Sequence, residues 1–352
     1  MKNALTFLLI GLLGATTGCS DILDQRPLVN PTTESFYTNE TEAALAVNAI
    51  YDPLGSTDLY KVGAVALGLM EDHLYKGTPA IDGRGLTEIS EFNLDPDNPF
   101  VTGWYRTLYI GIDRANVALQ KLPAVPETRL SAPVRKRFVA EAKFLRGLYY
   151  FHLVRLFGEV PLVLESATSP DVPGVAKSSE TAVWAQVEKD FSEAIPDLPA
   201  RYAAADLGRA TSGAARAFLA QAFLWQKKHA SALPLLDEVV KSGVFSLRPT
   251  YVDLFLEAND YNAEVVFAVG FRDNGTGNFS ASNENAMFSK YVGVRGTGNQ
   301  IHAPTGQPGF GFLMATDKYL AVYEPGDKRR DVTVWELGKL SPATGRPYSA
   351  QA

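Results

Sequence analysis

In successive segments between residues 39 and 242, separated by loops, an apolar side chain returns every three to four positions, a spacing that commits these segments to packed α-helices. Ala43, Val47, Ile50, Tyr51 and Leu54 share one face of a first helix, with Asn39 as its cap and Glu42 three residues on. Trp104, Leu108, Ile112, Ala115, Leu119 and Leu122 form the stripe of a second. The third and longest covers roughly 132–157, with Pro133 in its first turn and Gly158 placed for a left-handed C-terminal cap. Its face is Phe138, Ala142, Leu145, Tyr149, Leu153 and Leu156. A fourth holds Val183, Val187, Phe191, Ile195 and Leu198 in register, and 212–228 and 230–242 add two more before Gly243.

In that last pair, Leu219, Ala220, Phe223, Ala232, Leu236 and Val239 reproduce the spacing of a tetratricopeptide repeat. Small residues at 220 and 232 let two antiparallel helices approach, and Phe223 and Leu236 are expected to fill the space between repeats. The helices at 132–157 and 181–198 form a second candidate pair, with an insertion between them. Residues 56–99 and 166–180 lack a sustained period and read as loops. Beyond about 245 the texture changes: Val265–Phe271 reads as a short buried strand, and 272–312 is rich in Gly, Asn and Ser.

Composition narrows the function. The 352 residues are 46 % apolar and carry a net charge of −6, enough core for a folded chain and the wrong sign for a nucleic-acid partner. One cysteine, Cys19, excludes an intrachain disulfide and a thiolate zinc site, and four histidines leave little for a histidine metal centre. No metal or cofactor is expected. The run Ala4–Ala15 behind Lys2 is too short to span a bilayer and reads as a secretory signal. It ends at Thr16-Thr17-Gly18-Cys19, which resembles a lipobox with Thr16 where Leu is commoner. Cys19 is then the acylated (palmitate-bearing) first residue of a lipoprotein, followed by the polar tether that starts with Ser20 and Asp21.

The ordered set of segments along the chain resembles the SusD/RagB outer-membrane nutrient-binding lipoproteins of Bacteroidetes. It comprises Leu23-Asp24 with Phe36, Trp104-Tyr105 through Ala115-Asn116, Glu141 through Arg146, and Phe157 through Leu162. It continues with Gly208-Arg209-Ala210-Thr211, Ser242-Gly243, Asn262-Ala263-Glu264, and Asp327 with Arg329 and Arg330. The resemblance implies a mainly α fold, a tetratricopeptide-repeat-like helical array with a loop-rich ligand-binding portion and a few short strands. It divides the chain into a signal peptide at 1–18, a lipidated tether at 19–38, a helical region at 39–260 and a loop-rich portion at 261–352. Family members normally continue into another helical block, so 261–352 is expected to be incomplete. The implied function is capture of an oligosaccharide or other nutrient, glycan or peptide, at the outer face of the outer membrane. Delivery to a partner TonB-dependent, SusC-like transporter follows. A repeat scaffold that docks a partner and has no small-molecule site is the rival reading.

Sugar capture needs flat aromatic faces for the C–H side of a pyranose and planar polar groups for its hydroxyls. The loops at 71–100 and 272–312 supply Tyr75, Asp82, Arg84, Tyr291, Arg295, Phe310 and Phe312 as candidate ligand residues, with Phe92 and Phe100 beside them. Trp104, Trp184 and Trp225 lie on helical stripes and are expected in the core. No catalytic residue is assigned. Glu71-Asp72-His73 is expected to be a solvated cluster, not the paired carboxylates of a glycosidase, and Asp95-Pro-Asp97-Asn98 lacks the rest of a calcium loop.

Overall fold

The computed structural model describes residues 36–166, 174–271, 288–293 and 309–334; the signal peptide, Cys19, Arg295 and most of 272–312 lie outside the described residues. The first helix, α1 (Glu40–Tyr51), starts at Asn39, whose Oδ1 accepts the Glu42 amide at 3.0 Å. The Glu42 carboxylate reaches back one residue further than a capping box requires, taking the Thr38 amide at 2.7 Å and the Thr38 hydroxyl at 2.8 Å. A 3₁₀ turn (Asp52–Gly55) leads to α2 (Val62–Gly68), the two-residue strand β1 (Leu74–Tyr75) and α3 (Arg84–Ser90). Next are α4 (Pro99–Lys121) and α5 (Ala132–Phe157), then β2 (Val160–Pro161) paired antiparallel with β3 (Lys177–Ser178). The helices α6 (Glu180–Ala194), α7 (Ser212–Trp225) and α8 (His229–Lys241) complete the array. The remainder contributes α9 (Phe288–Val292), β4 (Met314–Ala315), α10 (Asp317–Ala321) and α11 (Arg330–Thr333).

Successive helices pack side by side, α1 on α4, α4 on α5, α5 on α6, α6 on α7 and α7 on α8. Both expected pairs therefore form. The central member is α5, buried on nearly every side: Phe138, Phe144, Leu145, Leu148, Tyr149, Tyr150, Phe151 and Leu153 are all shielded from solvent. Phe144, Phe151, Phe191 and Phe218 meet with ring centroids 5.6–5.9 Å apart. Each such buried ring is worth about 1.5–3 kcal/mol by area alone. Close approach of α4 to α5 depends on Gly111, where a Cβ would come within 2.3 Å of the Tyr149 ring.

Two buried polar networks stitch the array. The Arg146 guanidinium grips Asp190 through two bonds of 2.9 and 2.8 Å and donates to Asn116 Oδ1 at 2.9 Å, tying α4, α5 and α6 together. Glu141, fully buried, accepts from the Tyr51 hydroxyl at 2.9 Å and from Arg209 at 3.0 Å, and Arg209 also donates to Asn48 at 2.7 Å. Burial raises the Glu141 pKa above the usual carboxylate range, with the Arg209 charge opposing it.

Several expectations are corrected. Residues 56–99 contain α2 and α3, whose seven-residue lengths are too short to establish a period. Val265–Phe271 forms no ladder: no described strand lies beside it, and Phe267 packs instead against Phe144 at 5.2 Å between centroids. Trp104 and Trp184 are core residues as expected, whereas Trp225 is 52 % exposed. It ends α7, and the Arg155 guanidinium covers its ring at 4.4 Å in place of apolar packing. Leu236 lies on the outward side of α8 with Leu233 and Val240, not between repeats.

Candidate functional site

The chain between α2 and α4 is a strap built around one buried cation. Lys76 is 5 % exposed, and its ammonium donates to the Pro79 carbonyl at 2.8 Å, to the Asp82 carbonyl and to the Thr87 hydroxyl at 2.6 Å. The Thr87 hydroxyl passes the bond on to the Ala80 carbonyl at 2.9 Å. Left-handed glycines at 77 and 83 (φ 74° and 69°) let the strap turn back over this ammonium. Gly77 also permits close approach to β4, since a Cβ there would lie 2.2 Å from Met314 Cγ.

Beneath the strap the loop-rich portion supplies a floor. The strand β4 pairs with β1 in the register Leu74↔Ala315, and the Thr316 amide donates to the His73 carbonyl at 2.9 Å. Backbone bonds from Phe310 to Lys290 and from Phe312 to Tyr291 hold the 309–313 segment against α9. The rings of Tyr291, Phe310 and Phe312 gather with centroids 5.5, 6.4 and 6.2 Å apart. Phe312 is only 6 % exposed and lies under Gly83, so its ring supports the strap and leaves no open face for a ligand. Burial raises the Tyr291 hydroxyl pKa, keeping it neutral.

The outer side of the strap carries the ligand-like chemistry. Ile81 is 92 % exposed, Phe92 65 % and Tyr75 50 %. Phe92 holds φ at 54°, a left-handed conformation that an L side chain rarely adopts and that turns its ring outward. The strap also holds an open groove of about 480 Å³ lined by Ala80, Arg84, Thr87, Glu88, Asn93 and Asp95, among others. Arg84 Nε donates to Glu88 Oε1 at 2.9 Å, and Glu88 Oε2 accepts from Asn98 Nδ2 at 2.9 Å. Asn98 also caps α4 through Oδ1, so the ion pair is anchored to the helical array. Asp95 Oδ1 accepts the Asp97 amide at 3.0 Å, an Asx turn that fixes the far wall.

Of the sequence candidates, Tyr75, Asp82 and Arg84 thus belong to the strap, Tyr291, Phe310 and Phe312 to the floor, and Arg295 lies outside the described residues. Sequence reasoning missed Thr87, Glu88, Asn93 and Asp95 as groove residues, and Lys76 as the group that closes the turn of the strap. The available signal was a lysine immediately before Gly77, with Gly83 following, in a mostly acidic stretch. Glu71, Asp72 and His73 form an exposed cluster, with His73 Nδ1 3.0 Å from Glu71 and Asp72 3.8 Å from Lys318. Among the described residues no cluster of His, Cys, Asp and Glu is arranged to hold a metal ion.

Comparison with known proteins bears on this architecture. Residues 84–224 match the SusD-like_3 family, described as "Starch-binding associating with outer membrane". Curated relatives agree: SusD-like protein P25 of Formosa agariphila is 25 % identical over 307 residues, 85 % of this chain and 57 % of the relative. The starch-binding protein SusD of Bacteroides thetaiotaomicron is 27 % identical over 187 residues, 51 % of this chain and 32 % of its own. Over residues 84–224 the chain is SusD-like. Among solved structures, a laminarin-binding SusD-like protein superposes with a TM-score of 0.71 at 30 % identity, covering 80 % of this chain and 63 % of that one. This SusD-like chain therefore spans about three-fifths of the length of these relatives. The mainly helical fold is the one the family resemblance implied, and these relatives are themselves named as binding proteins. Among the described residues no helix is long and apolar enough to cross a membrane.

Proposed function

We propose that the protein captures oligosaccharides at the cell surface, held to the outer membrane through lipidated Cys19, and delivers them to a TonB-dependent, SusC-like transporter. The observation that carries this reading is a groove lined by the Arg84–Glu88 pair, Asn93 and Asp95, on a strap that also exposes the rings of Phe92 and Tyr75. A ring can lie against the C–H face of a pyranose while guanidinium, carboxylate and amide groups meet its hydroxyls. Each contact is weak, and tethering the protein beside a transporter mouth raises the effective concentration of captured sugar. The description of the matching family supports association with the outer membrane, and the laminarin-binding relative makes laminarin the first glycan to try.

Affinity electrophoresis in gels containing laminarin or starch tests the reading. The wild-type chain is expected to be retarded by one of them, and Phe92→Ala or Arg84→Ala to abolish the retardation. Wild-type retardation that survives both substitutions would remove the strap groove from the function. The rival scaffold reading draws on the outward apolar side chains Leu233, Leu236 and Val240 of α8. Under that reading Leu233→Lys disrupts co-purification with a membrane partner while Phe92→Ala has no consequence.

A further inference from the structure

The strap groove carries a charge pattern that bears on which glycans it accepts. Between residues 71 and 100 stand seven carboxylates, Glu71, Asp72, Asp82, Glu88, Glu91, Asp95 and Asp97, against two cations, Lys76 and Arg84. Lys76 is buried, with its ammonium turned inward onto backbone carbonyls. Arg84 is therefore the exposed cation of the strap, and its Nε is already paired with Glu88 at 2.9 Å. Arg84 lines the groove, and its charge is compensated by that pair. The groove lining adds Asp95, and exposed Glu91 stands one residue before Phe92.

Resting on the glycan-capture reading above, we infer that this groove selects neutral oligosaccharides and rejects polyuronates. A neutral sugar offers hydroxyls that donate to the oxygens of Glu88 and Asp95 and accept from Arg84, so every polar group of the groove finds a partner. A uronate at each sugar brings carboxylates against Asp95, Glu91 and Glu88 with one neutralised guanidinium to meet them. A local field of one sign excludes ligands of the same sign and does so less at high salt.

The test is titration of the full chain with laminarin, starch, alginate and polygalacturonate. Each is run at about 0.01 M and about 1 M salt, where charges are screened beyond roughly 30 Å and 3 Å. Laminarin or starch is expected to bind with an affinity indifferent to salt, and the two polyuronates at least about tenfold more weakly at low salt. The double variant Glu91→Gln/Asp95→Asn, which keeps the acceptor for the Asp97 amide, is expected to narrow that gap. Polyuronate binding equal to or tighter than neutral binding would overturn the selectivity while leaving glycan capture standing. An unchanged gap in the double variant would overturn its assignment to these carboxylates. Failure of a folded chain to bind any of the four glycans would remove the capture reading and this inference together.

Discussion

The ammonium of Lys76 lies 2.6 Å from the hydroxyl of Thr87, so one buried cation closes the turn that presents Ile81 and leads into Arg84. Replacing it by methionine keeps the stem and removes every donor, leaving the Pro79 and Asp82 carbonyls without that partner. The expected cost is about 2–3 kcal/mol, seen as a lower urea midpoint. Trypsin should also cut after Arg84 faster, as mass spectrometry would show. An unchanged midpoint and an unchanged cleavage rate would mean that the strap does not depend on this lysine.

Phe92 separates stability from binding. Its left-handed backbone costs about 1–2 kcal/mol for a residue with a Cβ, and its ring is largely exposed. Phe92→Gly is therefore expected to leave the melting temperature unchanged or slightly raised while glycan affinity falls by about tenfold. A drop in melting temperature would show that the ring packs against the protein and does not await a ligand.

The Arg146–Asp190 pair is largely buried and doubly bonded. Asp190→Ala strands a guanidinium in the core and is expected to cost about 3–5 kcal/mol in chemical denaturation. The double variant Arg146→Met/Asp190→Leu removes both charges and should recover most of that loss. If the double variant is as unstable as Asp190→Ala, the pair contributes shape and not charge balance.

His152 gives the fold an acid limit. Burial, followed by the nearby Arg155 charge, lowers its pKa from 6.5 to about 4. The Tyr60 hydroxyl, itself pushed up to about 12 by burial, shares a hydrogen bond of 2.7 Å with Nε2 of the ring. A depressed histidine pKa contributes stability that is present above pH 6.5 and is lost as the pH falls from 6.5 to about 4. The loss amounts to about 3 kcal/mol. His152→Gln keeps an acceptor for Tyr60 and cannot protonate, so its stability deficit at pH 7 is expected to shrink steadily toward pH 4. Parallel pH profiles of the two proteins would exclude His152 as the acid-sensitive group.

The helices from α4 to α8 could be read from the chain because their ends carry local signals, among them Pro133 and Gly158, and their stripes are long. Segments that carry the family resemblance, such as Glu141–Arg146 and Gly208–Thr211, supply the polar stitching of the array. Other features depend on partners that no local window contains. Trp225 continues an apolar stripe but meets Arg155 from another helix. Tyr75 and Phe312 are both loop aromatics by sequence. The pairing of His73 with Thr316, 243 positions away, helps make one surface and the other floor.

The strap and the array are held by bonds of different reach. Lys76 closes its turn on groups three to eleven residues away, and Asn98 closes the other end on Gly85 and Glu88. The array is tied across the chain, with Tyr51 and Glu141 separated by 90 positions and Asn48 and Arg209 by 161. The turns from Lys76 to Asn98 can therefore drift in sequence without asking the helices of the array to repack, so long as the close approaches of Gly77 to Met314 and of Gly83 to Phe312 are kept. The surface proposed for glycan capture is thereby free to change independently of the helices beneath it.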